Sequence, residues 1–317
     1  MPFRAKPAKL MKIKDSGTLL TRIWKNKEIY FLLVFGLTWY IIFAYIPMYG
    51  LTLAFRNYRA SLGIWGSPWV GLRNYEFVFR DPAFFAAIWR TLQINAGRLL
   101  FQFPFPIILA LVINEVRIGR AKRALQLVYT FPHFLSWIIV ASIMINILGH
   151  TGLVNSIIRL FGGEPFSFLG TPSIFYPMLY ITDIWKGAGW SCIIYMATIA
   201  GIDQEQYEAA EIDGASRFQR ARFITLPGMR NTITVLFILA VGNLMNAGFD
   251  QIFNLSNPAT RSVAETLDIY IYRITFQSIT DFSFSTAISL FRSIINFILI
   301  LSADRVSKLF GGDGLFA

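Results

Sequence analysis

The chain has 317 residues, of which 55% are apolar and only 15% are charged, and its formal net charge is +11. Soluble globular proteins carry about 25% charged residues, so this composition points to a chain that is surrounded by lipid. A basic chain can bind nucleic acid, but here the Lys and Arg residues flank apolar runs instead of forming one patch, which argues against that class. The single cysteine, Cys192, excludes an intrachain disulfide.

The first 28 residues are polar and basic, and they lack the short apolar core and small-residue cleavage site of a secretory signal. We therefore interpret 1–28 as a cytoplasmic N-terminal tail. The region 29–302 is expected to form the transmembrane domain, and 303–317 is expected to form a cytoplasmic C-terminal tail.

Apolar runs of about 20 residues, the length of a helix that crosses a bilayer, occur six times. The sequence predicts spans at about 29–48, 91–114, 125–148, 174–202, 232–249 and 284–302. The second run contains Pro104 and Pro106, and the fourth is interrupted by Asp183 and Lys186. We expect an all-α membrane protein with about six transmembrane helices.

The distribution of Lys and Arg over the loops predicts the orientation of these helices. Alternate segments hold 18 and 8 of these residues: the first set is 1–28, 115–123, 203–230 and 303–317, and the second is 51–91, 149–173 and 251–285. Because cytoplasmic loops carry an excess of basic residues, both termini are expected to be cytoplasmic. The long segment 51–91 then lies on the outer side.

The loop 203–231 is the most charged internal stretch, yet it contains strong helix formers. Residues 204–212 are expected to form a short helix, and Gly214 would end it because glycine readily adopts a positive φ. Ser216 would cap a second helix that stops at Pro227. Such a pair of helices could dock another protein, or it could simply link two spans.

Three motifs in this loop carry a resemblance to a known family. Glu208-Ala209-Ala210, Asp213-Gly214-Ala215 and Phe223-Ile224-Thr225-Leu226-Pro227 are similar, with their spacing intact, to the EAA loop of permease subunits in bacterial ABC importers. The resemblance implies a type I ABC importer permease fold, in which 203–231 is the coupling loop that enters a cleft of a cytoplasmic ATPase. The coupling residues that it implies are Glu208, Ala209, Ala210, Asp213, Gly214, Ala215, Phe223, Leu226 and Pro227. Asn231 departs from the family, which often has a second proline there.

The outer segment 51–91 carries a second resemblance. Its motifs Val70-Gly71-Leu72-Arg73-Asn74-Tyr75, Asp81-Pro82-Ala83-Phe84 and Arg90-Thr91-Leu92 are similar to those of sugar-importing permeases of the maltose and glycerol-phosphate type. That family usually has Asn where this chain has Arg90. The sequence as a whole, including the long basic N-terminal tail, resembles most closely the permeases for polysaccharides such as alginate. An oligo- or polysaccharide cargo is implied.

The family resemblance also implies partners and a location. A second permease subunit, expected to be a distinct homologue, two copies of a cytoplasmic ATPase and an extracytoplasmic solute-binding protein would complete the importer in the bacterial cytoplasmic (inner) membrane. The chain contains no G-x-x-x-x-G-K-[ST] loop, so ATP and Mg would be bound by the ATPase, and this chain would be no enzyme and carry no cofactor. His133 and His150 lie far apart without ligand-like spacing, and no metal site is expected.

Polar and aromatic residues inside the spans are candidates for the substrate pathway, because charges at bilayer depth usually face a bundle interior or a water-filled path. The candidates are Trp185, Lys186, Trp190, Tyr195, Asn243, Asn246, Asp250, Arg292 and Asn296. Each could instead be structural: Asp183 could pair with Lys186 one turn away, and asparagines often form hydrogen bonds between helices. Arg98, Lys186 and Arg292 give the spans a basic excess, which favours an anionic cargo such as a uronate oligosaccharide.

Helical spacing groups these candidates further. Asn243, Asn246 and Asp250 would share one helix face in the fifth span, and Ser289, Arg292 and Asn296 would do so in the sixth. Arg292 has no acidic residue within one turn of its own helix, so its partner is expected on another element.

An ion-gradient-driven secondary transporter is the alternative function. It would use ionisable residues near the bilayer midplane, for which Asp183 and Asp250 are candidates, but the second half of the sequence does not mirror the first. A membrane enzyme would need a constellation of nucleophile, base or metal ligands, and the sequence displays none.

Overall fold

The computed structural model describes residues 23–116, 119–278, 281–309 and 314–315. These residues are mostly helical, with one isolated antiparallel bridge between Arg56 and Trp69, and the expectation of an all-α protein is confirmed. The chain divides into two compact units, Met1–Thr52 and Leu53–Ala317.

The first unit contains α1 (Lys27–Tyr40), which continues as a π-helical segment, Ile41–Tyr45. The first half of the second unit contains α2 (Gly63–Gly66), α3 (Arg73–Arg80), α4 (Pro82–Gly97), α5 (Pro104–Asn114), α6 (Gly119–Thr130), α7 (Trp137–Leu148), α8 (Leu153–Leu160) and α9 (Pro172–Ala200). Its second half contains α10 (Gln204–Ile212), α11 (Arg217–Arg220), α12 (Leu226–Gly228), α13 (Arg230–Gly242), α14 (Phe249–Leu255), α15 (Arg261–Ala264), α16 (Leu267–Tyr272) and α17 (Phe282–Leu309).

Several of these helices can cross a membrane. Four stretches of the described chain are long and apolar enough: Lys27–Phe55, Pro82–Asn114, Trp137–Leu160 and Phe282–Leu309. A fifth results if Arg217–Gly228 and α13, which meet at a bend of 63°, count as one span. α9 covers the predicted fourth span and, with 29 residues, is long enough to cross a bilayer, but it is not among the stretches that are also apolar enough. The count of six spans and the cytoplasmic termini remain predictions, and 1–22 lies outside the described residues.

The predicted third span is interrupted near its middle. A 3₁₀ turn, Phe131–Phe134, separates α6 from α7. Pro132 has no backbone N–H and cannot continue α6. Ser136 then caps α7, because its Oγ accepts a hydrogen bond from the Ile139 amide at 3.3 Å.

The predicted fifth span also breaks. α13 ends at Gly242, residues 243–248 form no helix, and α14 begins after Gly248, whose φ is +76°. Asn243, Asn246 and Asp250 therefore do not share one helix face, and that expectation is wrong. We call residues 243–248 the span-five break.

Three clusters of buried apolar side chains hold the second unit together. The first joins α3, α4, α16 and α17, the second joins α4, α7, α9 and α14, and the third joins α5, α9 and Met229. α9 takes part in two of them, and its most extensive packing is against α5. Because lipid tails are as apolar as these side chains, close packing rather than escape from water favours the association inside the bilayer.

Asn74 and Gly71, both from the family motifs, shape the outer segment. The Asn74 side-chain amide donates hydrogen bonds to the carbonyls of Ala54 and Arg56, both at 2.9 Å. Gly71 has a φ of +61°, which a residue with a side chain rarely adopts. The motif residues thus fix the path of the backbone between α2 and α3.

Asp81 joins the start of α4 to α16. Its carboxylate accepts a hydrogen bond from the Ala83 amide at 2.8 Å, which caps α4, and it also accepts the Tyr270 hydroxyl. Burial, and then the neighbouring Asp81 carboxylate, raise the pKa of Tyr270. The phenol therefore stays protonated and remains a donor.

α9 approaches the interruption of the third span most closely at Gly189. A Cβ at this position would overlap the Tyr129 carbonyl and lie 2.8 Å from the Thr130 amide nitrogen. Small residues at such crossings allow two backbones to come together. Gly187, two residues earlier, has no neighbouring atom within 4 Å of the corresponding position.

We expect Gly189→Ala to destabilise the protein by about 1–3 kcal/mol, because the added methyl group must displace backbone atoms. The matched control is Gly187→Ala, whose methyl group would enter open space. Thermal unfolding of both variants in detergent, followed by size-exclusion chromatography, measures the effect. Equal melting temperatures for the two variants would contradict the close approach at Gly189.

Candidate coupling loop and transport pathway

The first helix of the coupling loop forms where the sequence predicts it. The Asp203 carboxylate caps α10 by accepting a hydrogen bond from the Glu205 amide at 3.0 Å. At the other end Gly214 adopts a φ of +77°. The Ala215 amide can then donate to the Ala210 carbonyl at 2.9 Å, which closes the helix terminus.

The second helix starts as predicted but extends further. Ser216 and Gln219 form a reciprocal capping box at the start of α11. A π-helical segment, Ala221–Thr225, then leads into α12, which contains Pro227 near its start. Pro227 therefore does not stop the helix. Its fixed φ suits the first turn of α12, and the 63° bend comes after Gly228.

Two side-chain contacts brace the two helices of the loop against each other. The Tyr207 hydroxyl lies 2.9 Å from the buried Thr225 hydroxyl. Arg220 donates a hydrogen bond to the Glu211 carboxylate at 3.0 Å. The loop is thus a defined structural unit.

The loop is joined to the spans through the start of α13. Met229 is fully buried in the cluster formed by α5 and α9. A Cβ at Gly228 would lie 2.6 Å from the Ile202 side chain, and the hydroxyls of Thr198 and Thr232 are 3.1 Å apart. A displacement of the loop would therefore be transmitted to α13 and α9.

The loop presents both charge and apolar surface to the solvent. Glu208 and Ala209 are exposed, whereas Ala210 and Ala215 are half-buried. The sequence reasoning included Phe223, but it missed Ile212, which is 87% exposed, and Phe218, which is 73% exposed. Large apolar residues within a charged loop were the signal that could have identified them. Of the other implied coupling residues, Asp213 and Pro227 are exposed and Leu226 is half-buried.

Arg98, which directly follows α4, and Asp183 of α9 form an ion pair inside the second unit. Arg98 Nε lies 3.1 Å from Asp183 Oδ2, and both side chains are less than a fifth exposed. The Arg98 guanidinium also donates to the Gln251 side chain and to the Ala247 carbonyl, the latter at 2.6 Å. The expected pairing of Asp183 with Lys186 is therefore replaced by a pairing with Arg98.

Lys186 instead stabilises the interruption of the third span. Its ammonium group donates to the His133 carbonyl at 2.8 Å and lies 5.4 Å from the centre of the Trp137 ring. Trp190 stacks on the His133 ring with centroids 4.6 Å apart. A cation at the last carbonyls of a short helix is favourable, so these contacts give Lys186 a structural role.

Asp268 and Asn296 bind backbone groups of the span-five break, and Arg292 pairs with Asp268. Arg292 forms an ion pair with Asp268 of α16, as expected for a partner on another element. Asp268 in turn accepts a hydrogen bond from the Ala247 amide at 3.3 Å. The Asn296 side chain accepts one from the Met245 amide at 3.2 Å.

A cavity of about 290 Å³ lies beside the Arg98–Asp183 pair. Its volume is close to the lower end of the range for small-molecule sites. The polar residues that line it are Asn95, Arg98, Gln102, Ser191, Tyr195 and Asn243. Only Tyr195 and Asn243 of the nine predicted pathway residues come together here.

The remaining candidates lie elsewhere. Trp185 is exposed on α9, and Asp250 is exposed in the first turn of α14. Asn246 donates a hydrogen bond to the Asn243 side chain at 2.9 Å. Sequence reasoning missed Asn95, although it lies three residues before Arg98 in an apolar run, a spacing typical of one helix face. Among the described residues no cluster of side chains suits a metal ion.

We expect Asp183→Asn to destabilise the protein by about 3–5 kcal/mol, because it leaves the buried Arg98 guanidinium without its counter-charge. Asp250→Asn is the matched control, since this exposed carboxylate has no ion-pair partner among the described residues. Its effect should stay within about 0.5 kcal/mol. Thermal unfolding in detergent compares the two, and equal stability would contradict the ion pair.

Comparison with known proteins identifies the family of the chain. Residues 102–311 match the family described as binding-protein-dependent transport system inner membrane component. Protein LplB of Bacillus subtilis is 44% identical over 92% of both chains. The polygalacturonan/rhamnogalacturonan transport system permease protein YteP of the same organism is 39% identical over 98% of this chain and 96% of that protein.

A solved structure agrees with these matches. A chain of a bacterial alginate ABC transporter, in complex with an alginate pentasaccharide-bound periplasmic protein, superposes with a TM-score of 0.84 at 34% identity, over 94% of this chain and 99% of that chain. These relatives are transport components, and the described residues include several helices able to cross a membrane. The chain therefore belongs to the binding-protein-dependent transport system inner membrane components, and it is a multi-pass membrane protein with the fold of a type I ABC importer permease.

Proposed function

We propose that the chain is a transmembrane permease subunit of an ABC importer that moves an oligo- or polysaccharide into the cell. Its family membership and the geometry of α10 and α11, braced together and joined to α13, support this function. Transport would follow alternating access: closure of the ATPase on nucleotide moves the coupling loop, and the loop moves the spans. The cargo could shift this equilibrium only through its different affinities for the two states.

The complete importer would contain further subunits. We propose a second, distinct permease, two copies of a cytoplasmic ATPase that binds ATP and Mg, and an extracytoplasmic solute-binding protein, all at the bacterial inner membrane. The alginate transporter complex with its periplasmic protein supports the last of these. This chain would itself be no enzyme and would hold no cofactor.

The ATPase would contact the exposed face of α10. Glu208 and Ile212 are four residues apart and therefore lie on the same side of that helix. A face that combines one carboxylate with one large apolar side chain suits a cleft with an apolar floor and a basic rim. Gln206 lies on the opposite side, about 200° around the helix axis from Glu208.

We propose that the cargo contains uronate units. Two relatives support this class, because alginate and polygalacturonan are both polymers of uronic acids. The basic excess in the spans gives little support, since Arg98 and Arg292 are neutralised by Asp183 and Asp268. Recognition of the acidic cargo would then rely on hydrogen-bonding groups such as those of Tyr195 and on delivery by the binding protein.

We expect Glu208→Lys and Ile212→Asp each to abolish co-purification of the ATPase, because each change disrupts one half of the docking face. Gln206→Asp is the control on the opposite side of α10 and should retain the ATPase. Pull-down of the tagged permease followed by quantitative electrophoresis measures the bound ATPase. ATP-independent uptake by the wild-type chain alone would contradict the proposal.

Stimulation of ATP hydrolysis in the reconstituted complex tests which class of saccharide is the cargo. We expect galacturonate or alginate oligosaccharides to stimulate it more strongly than neutral malto-oligosaccharides of equal length.

We expect Arg292→Gln to lower uptake of charged and neutral oligosaccharides by the same factor, because Arg292 is paired with Asp268. If this variant lost uptake of the charged oligosaccharides only, Arg292 would have to be a substrate contact.

A further inference from the structure

The span-five break exposes backbone groups that helices normally satisfy internally. At bilayer depth such groups must find partners within the protein, because lipid offers none. Asn95 donates to the carbonyls of Leu244 and Asn246, at 2.7 and 3.2 Å. Asn296 accepts from the Met245 amide. Three consecutive residues of the break are thus held by side chains of other elements.

Ala247 is held at both of its backbone groups. Its carbonyl accepts from Arg98, which directly follows α4, and its amide donates to Asp268 of α16. Each of these side chains carries a full charge that a second residue neutralises: Asp183 pairs with Arg98, and Arg292 pairs with Asp268. We call Arg98 and Asp268 the Ala247 clamp.

The two helices on either side of the break are anchored differently. On the outer side, Gln251 of α14 is buried and donates to the Leu179 carbonyl and the Thr182 hydroxyl of α9, at 2.8 and 3.0 Å. On the cytoplasmic side, residues 233–242 of α13 are almost all apolar and continue directly from the coupling loop. Packed helices can slide by small amounts against each other, whereas directional hydrogen bonds fix the residues that they join.

We propose that the span-five break is a hinge of the transport cycle and that Arg98 and Asp268 are its positioning residues. The clamp keeps Ala247 and α14 fixed to the outer half of the spans, while α13 swings with the coupling loop. Gly248, in a left-handed conformation, lies directly after the fixed residue. This inference rests on the proposed function, because the loop moves only if an ATPase drives it.

Distance measurements between spin labels test the hinge. In the full complex with Cys192→Ser, labels at Phe237 of α13 and Phe253 of α14 report across the break, and both positions are exposed. Labels at Leu153 of α8 and Phe253 form the reference pair on the outer side. We expect the distance between the labels at Phe237 and Phe253 to change between the nucleotide-free and the vanadate-trapped state. The change should exceed the width of the distance distribution of the reference pair. An unchanged first distance, in a complex that hydrolyses ATP, would overturn the proposal.

A double variant tests whether Arg98 acts by holding Ala247 or only by keeping the interior neutral. Arg98→Met with Asp183→Asn removes both charges together, so that no unpaired charge remains, and it also removes the donor that holds Ala247. We expect normal amounts of complex with ATP hydrolysis retained. Transport per ATP should fall about tenfold or more, the factor for loss of one hydrogen bond to a charged group.

One control completes this test. Arg59→Gln changes an exposed arginine of the outer segment and should transport like the wild type. Wild-type coupling in the double variant would overturn the role of Arg98. Failure of the proposed function would look different, because the wild-type chain would then neither retain an ATPase nor support ATP-dependent uptake.

Discussion

The backbone of the span-five break lacks the hydrogen bonds of a continuous helix, and much of the polar architecture follows from that constraint. An unbroken helix needs no help from its neighbours, whereas a broken one requires donors and acceptors from them. The chain supplies them from α4, α16 and α17 through Asn95, Arg98, Asp268 and Asn296. The charged donor Arg98 and the charged acceptor Asp268 in turn need counter-charges, which Asp183 and Arg292 provide.

This arrangement changes how the polar residues of the spans should be interpreted. Charges inside a membrane protein often mark a route for substrate, but here the two arginines of the spans are held in ion pairs, and Lys186 caps a short helix beside His133. The cavity beside Arg98 is lined mainly by uncharged side chains, among them the hydrogen-bonding groups of Asn95, Gln102, Ser191, Tyr195 and Asn243. Polar groups of that kind can recognise hydroxyl groups without trapping the cargo, which a transporter must release.

Local chemistry made parts of this structure predictable. The start and end of α10 follow from Asp203 and Gly214, and the start of α11 follows from Ser216, because caps act within a few residues. The sequence also indicated that Arg292 needs a distant partner, but it could not identify Asp268, since that pairing depends on how α16 and α17 pack. The span-five break escaped prediction because 232–249 has the composition of a continuous apolar helix, and only tertiary hydrogen bonds reveal where it opens.

The bracing of the coupling loop has a consequence for how tightly an ATPase can be held. A segment that becomes ordered only on contact loses conformational entropy at that moment, and its affinity is lowered accordingly. With Tyr207 bonded to Thr225 and Glu211 bonded to Arg220, the loop is already ordered before any partner arrives. Under the proposed function, a modest docking face could therefore support a long-lived complex, and force from the ATPase would reach the membrane without first being absorbed by a yielding segment.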